Sequence, residues 1–139
     1  MLSRILVPMN DSEMAARALT LACQSFPDAH ITVLAVVGGP TAYMGEAVSI
    51  AMADDPEAAA ADRAEPIFET AREIAAETGH QLDTDVALGH PTRAIVDRAA
   101  DYDLVVIGAH GRDLSSRLLL GNVAETVTKR SPVPVLVVR

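Results

Sequence analysis

The 139-residue sequence has one cysteine, Cys23, one lysine, Lys129, no tryptophan, two tyrosines and two phenylalanines. A single cysteine excludes an internal disulfide framework and a multi-cysteine metal site within one chain, which suits a reducing cytoplasm. Positive charge is scarce: 11 basic against 19 acidic residues leave a formal net charge of −8. That sign repels a phosphate backbone, so nucleic acid is not an expected partner. Long apolar runs are missing as well. Ile5 to Met9 is flanked by Arg4 and Asn10-Asp11 and is too short for a signal-peptide core or a membrane span. The G-x4-G-K-[ST] phosphate loop, the G-x-G-x-x-G dinucleotide fingerprint and the G-x-S-x-G nucleophile elbow do not occur. His30, His80, His90 and His110 are scattered, without an i,i+4 pair or the carboxylate spacing of a metal site.

What is there reads as a globular chain, with 50% hydrophobic and 22% charged residues. The length predicts one domain, residues 1–139. Short β-branched runs alternate with longer helical stretches, the signature of βαβ units and a parallel sheet. Five strands are predicted: Ile5 to Pro8, Ile31 to Val37, Leu82 to Leu88, Leu104 to Ile107 and Val133 to Val138. The third alternates apolar with polar residues, as an edge strand does, while the others are apolar on both faces. Ser12 is placed to cap a first helix that carries Cys23 and stops at Pro27-Asp28. A long helix runs from about Pro56 to Thr78 and ends at Gly79. A short one follows Gly89-His90-Pro91-Thr92, turns Ile95 and Val96 inward and ends near Asp101. The last spans Asn122 to Arg130, before Ser131-Pro132. Cys23 reads as a buried small hydrophobe, and the acidic face of the long helix as solvated surface.

Ligands of an open parallel sheet lie beyond the carboxyl ends of the strands, where the strand order reverses. After the fourth strand the chain reads Gly108-x2-Gly111-x9-Gly121-Asn122. Two readings fit this spacing. Gly108 and Gly111 permit positive backbone dihedrals and close approach, and Gly121-Asn122-Val123 offers free N–H groups at a helix start, a cradle for phosphates. Alternatively the glycines make a tight turn, and Asn122 with Glu125 forms a capping box.

Ile5-Leu6-Val7-Pro8, Gly89-x-Pro91, Leu104 to Gly111, Leu118-Leu119-Leu120-Gly121 and Ser131-Pro132-Val133-Pro134-Val135-Leu136-Val137-Val138 occur in that order. Together they resemble the universal stress protein family over nearly the whole chain. The resemblance implies a doubly wound three-layer sandwich, a five-stranded parallel sheet of order 3-2-1-4-5 like that of adenine nucleotide α-hydrolases. It implies ATP or AMP as ligand, with or without Mg2+. Carried over residue by residue, Pro8, Met9 and Asn10 meet ribose and base, and Val36 the adenine side. Ile107, Gly108, Gly111, Arg112, Gly121, Asn122 and Val123 meet the phosphates.

Two positions depart from the family pattern. Asn10 stands where Asp is usual and gives up a charge-assisted bond to ribose. Asn122 stands where Ser or Thr follows the third glycine, and is read as a helix cap whose amide can donate to phosphate. Asp113 opposes an anion, while Arg112 and Arg117 offset it.

The chain is thus expected to be a cytoplasmic, adenine-nucleotide-binding regulatory or signalling module of the stress response. The alternative is a member that binds no nucleotide and acts through protein partners. A third reading, a hydrolase or adenylyl-transfer domain, lacks a positioned base, metal carboxylates and a lysine near the phosphates, which limits it to slow ATP hydrolysis at most. The apolar last strand, 133–138, is expected to pair two copies into a homodimer, with Pro132 and Pro134 limiting where its ladder forms.

Overall fold

The computed structural model describes residues 2–38, 52, 54–109 and 121–139. Five parallel strands, β1 (Arg4–Met9), β2 (His30–Val37), β3 (Leu82–Leu88), β4 (Leu104–Gly108) and β5 (Val135–Val138), form one sheet. Its order is β3-β2-β1-β4-β5, as expected. Four helices are described: α1 (Glu13–Ser25), α2 (Pro56–Thr78), α3 (Pro91–Ala99) and α4 (Asn122–Arg130).

Local chemistry accounts for most of these boundaries. Ser12 Oγ accepts from Ala15 N at 3.1 Å and caps α1, which ends at Phe26, just before the predicted stop. Asp55 caps α2 through Ala58 N at 3.2 Å, and Gly79 closes it in the left-handed conformation at φ 74°. Pro66 lies inside α2 on its exposed side, while the opposite stripe of Ala60, Ala64, Phe68, Ala71 and Ala75 is buried. The proline therefore withdraws one solvent-side hydrogen bond and leaves the packed face continuous. The helix α3 ends at Ala99, two residues before the predicted Asp101, with Ile95 buried and Val96 half-buried.

Strand β5 begins at Val135 rather than Val133. Pro134 has no N–H for the ladder, although its carbonyl accepts from Val105 N at 3.0 Å. Upstream, Ser131 Oγ accepts from Val133 N at 3.2 Å and donates to Val133 O, so Val133 belongs to a local turn. At the opposite edge, β3 is mostly exposed or half-buried, as its alternation predicted. Its acidic residues are paired: Asp83 with His30, and Asp85 with Arg98 at 2.5 Å.

Right-handed crossovers explain the layers. The chain moves outward from β1 to β2 to β3 with α1 and α2 on one face, then reverses to β4 and β5 with α3 and α4 on the other. The first face holds Ile5, Val7, Leu19, Ile31, Val33, Phe68 and Val106. The second holds Leu6, Leu34, Ile95, Val105, Ile107 and Val127. Completely buried leucine and isoleucine side chains such as Leu6, Leu34 and Ile31 each contribute about 1.5–3 kcal/mol. Among the described residues no helix is long and apolar enough to cross a membrane.

Candidate functional site

The reversal point lies between β1 and β4, and the two strands are held together at only one end. At the amino ends, Asp103 Oδ2 accepts from Ser3 N at 2.9 Å, Ser3 Oγ at 3.0 Å and Arg4 N at 2.9 Å, and Asp103 N donates to Arg4 O at 2.8 Å. The Arg4 and Ser3 amides, followed by the Ser3 hydroxyl, hold the Asp103 carboxyl below its usual range. Toward the carboxyl ends the register covers only Ile5 with Leu104 and Leu6 with Val105, while β1 stays paired to β2 as far as Met9. Pro8 has no N–H with which to extend the ladder. A crevice therefore opens at the carboxyl ends, where the sequence placed the ligand.

Three further bonds shape its rim. Gly121 N donates to Ala109 O at 2.5 Å, so the start of α4 is tied directly to the end of β4. Ala109 N donates to Val138 O at 2.7 Å, and Gly89 N to Val37 O at 3.0 Å.

The predicted residues divide by face. Val36, Ile107 and Val123 pack together on the α3/α4 side, and Pro8 follows Leu6 onto that side by strand alternation. Met9 does not: its side chain is buried in the α1/α2 core, so only its backbone faces the crevice. Asn10 is exposed, and its Oδ1 accepts from Ser12 N at 2.9 Å, a local turn that leads into α1.

Two features of the glycine motif differ from expectation. Gly108 is not in the left-handed region. A Cβ there would lie 2.8 Å from Met14 O and 2.9 Å from Met14 C, so glycine is needed for close approach to the first turn of α1. The α4 N-cap is Gly121 and not Asn122, and no side chain caps this end, so the predicted Asn122–Glu125 capping box does not form. The backbone N–H groups of Asn122, Val123 and Ala124 are left as the free first-turn donors. Gly111 and Arg112 lie outside the described residues, as do His110, Asp113 and Arg117.

The glycine motif did not point to α3. A cleft of about 630 Å³ runs between α3 and α4, lined among others by Thr92, Arg93, Val96, Asn122, Val123 and Arg130. The signal for it was Gly89-His90-Pro91, which starts a helix at the same end of the sheet as Gly121. A second cleft of about 430 Å³ runs along the β3 edge past Glu57, Leu88 and Arg98 and shares His90, Arg93 and Asp97 with the first. Cys23 is buried, and that burial raises its thiol pKa, partly offset by a hydrogen bond with Thr78. It behaves as a core residue, as read from the sequence.

Residues 1–139 match the profile of the universal stress protein family. A curated relative, universal stress protein YxiE of Bacillus subtilis, is 39% identical over 75 residues, 52% of this chain and 51% of that protein. The chain spans about half the length of the curated relatives it matches. Among solved structures, universal stress protein UspA from Lactobacillus plantarum superposes with a TM-score of 0.76 at 29% identity, covering 99% of this chain and 98% of that one. A universal stress protein from Archaeoglobus fulgidus, solved in complex with dAMP, shares the fold with a TM-score of 0.68 at 20% identity, covering 100% and 98%.

Proposed function

Because the chain belongs to the universal stress protein family, we propose that it binds an adenine nucleotide, ATP or AMP, at the carboxyl ends of β1 and β4. There it serves as a cytoplasmic regulatory module of the stress response, its conformation or partners following nucleotide occupancy. The observation that carries this reading is the uncapped N-terminus of α4, tied by Gly121 to the end of β4 at the mouth of the crevice. Its free N–H groups and helix dipole suit phosphate oxygens. Val36, half-buried near the end of β2, offers apolar surface for the base, and the dAMP complex of the Archaeoglobus protein shows the same fold with an adenine nucleotide. Mg2+, where present, would be held by the phosphate oxygens. The protein works as a switch, with slow ATP hydrolysis at most.

The first test is mass spectrometry of ligand released on denaturing freshly purified protein, followed by ATP titration of the emptied protein by calorimetry. Co-purified ATP, ADP or AMP, or a micromolar titration, supports the reading. An empty protein that takes up no ATP defeats it and leaves the partner-binding alternative. Asn10→Asp sharpens the test. A carboxylate keeps the bond from Ser12 N and adds a charge-assisted acceptor for a ribose hydroxyl. ATP affinity should rise by about three- to tenfold, the equivalent of roughly 1 kcal/mol. Unchanged affinity would place the ribose elsewhere.

We also propose that β5 pairs with β5 of a second copy. It is the last strand in the sheet order, and Val135, Leu136 and Val137 stay only half-buried in the single chain. Sedimentation equilibrium should report twice the chain mass, and a concentration-independent monomer would rule this pairing out.

A further inference from the structure

The cleft between α3 and α4 contains an anomaly that the nucleotide motif does not explain. Thr92, in the first turn of α3, is only 8% exposed, and its hydroxyl makes no hydrogen bond with any described residue. Thr32 and Thr92 are the buried polar residues among those described, and Thr92 is the one that lines a cleft. A buried hydroxyl without a partner is costly and calls for one.

Its surroundings indicate the chemistry of that partner. The N-terminus of α3 has Pro91 in its first turn and no side-chain cap, so the Thr92 and Arg93 N–H groups are free first-turn donors. The α4 N-terminus, equally uncapped, contributes Asn122 and Val123 to the same cleft. Two helix dipoles thus present their positive ends to one space. Arg93, which borders the neighbouring cleft as well, and Arg130 also line it, and neither forms an ion pair with a described residue. Among the described lining residues the opposing charge is one carboxylate, Asp97, whose field also falls on Arg98. Donors outnumber acceptors, and positive charge outnumbers negative.

We propose that the first turns of α3 and α4 together form a phosphoryl subsite, in which the Thr92 hydroxyl and the Arg93 guanidinium hold the anionic end of the ligand. This rests on the adenine-nucleotide reading of the crevice and extends it. Phosphate recognition is then shared between the glycine motif and a helix on the far side of the cleft. Arg93 supplies a forked donor suited to two phosphoryl oxygens, and Thr92 a hydroxyl already desolvated before the ligand arrives.

The test uses the full chain and three probes, ATP, adenosine and pyrophosphate, with affinities from calorimetry and backbone amide shifts as the positional readout. The variants are Thr92→Val, which keeps shape and removes the hydroxyl, Thr92→Ser, which restores it, and Arg93→Gln. ATP and pyrophosphate should both shift the Thr92 and Arg93 amides. Thr92→Val and Arg93→Gln should each weaken both ligands by about tenfold or more. Thr92→Ser should regain most of the loss, and adenosine should bind every variant alike. ATP affinity that ignores both substitutions overturns the subsite and leaves the nucleotide reading standing. Pyrophosphate binding that depends on Thr92 and Arg93 in a protein that refuses ATP overturns the nucleotide reading and keeps the subsite. A protein that takes neither probe overturns both.

Discussion

Gly121→Val is expected to abolish measurable ATP binding, a loss of at least about a hundredfold, while the protein stays folded. Gly121 is the N-cap of α4, at φ −63° and ψ 154°, a conformation that a β-branched residue adopts without strain. The fold therefore loses only about 1 kcal/mol, the usual scale of a poorer cap. Binding suffers more, because two methyl groups would stand at the first turn of α4, where the proposed site has the Asn122 and Val123 N–H groups meet phosphate. Calorimetry with ATP, beside a thermal melt, separates the two effects. Wild-type affinity in the folded variant would show that the phosphates do not sit at α4.

Gly108→Ala should lower stability by about 1–3 kcal/mol, the range of overpacking in a close-packed interior. The cost is steric and not conformational, since Gly108 does not have positive φ. The new Cβ would meet Met14 O at 2.8 Å, Met14 C at 2.9 Å and Met14 Cβ at 3.1 Å. Two of these three atoms are backbone, so no rotamer change relieves the contact. The first turn of α1 must lift off β4, carrying with it the buried Met14 side chain and the turn from Asn10 to Ser12. Urea unfolding should show a lower midpoint at unchanged slope. An unshifted midpoint would mean that α1 and β4 do not approach so closely in solution.

The two glycines also show how much of the site was legible. The spacing of Gly108 and Gly121 pointed to the carboxyl ends of the strands, yet each is glycine for a reason the spacing does not carry. At 108 the requirement comes from Met14, far away in sequence, and at 121 the residue is the N-cap assigned to its neighbour. Asn122 was misjudged because Asn is an excellent cap in general. Here the hydrogen bond from Gly121 N to Ala109 O places the cap one residue earlier. Met9 was carried over from the family resemblance as a ribose and base contact, but strand alternation turns its side chain to the α1/α2 core and leaves its backbone for that role. Thr92 and Arg93 passed as an ordinary helix start, since neither burial nor a missing hydrogen-bond partner is visible in a string of letters.

Elements whose signals are local were read closely. The limits of α2 follow from Asp55 and Gly79, those of α4 from Gly121 and Ser131, and β3 spans the predicted residues. The sequence by itself determined the class of fold, because two-sided apolar strands separated by helices can be covered only in a parallel α/β sandwich. It also determined which loop carries the glycines. The tertiary structure decided how the ends of those elements meet: that β1 and β4 part beyond Leu6, that α1 presses on Gly108, and that the starts of α3 and α4 share one cleft. The physical reason is range. Caps, turns and periodicity act within a few residues, whereas these meetings depend on strand order and on crossovers that bring distant segments to one face.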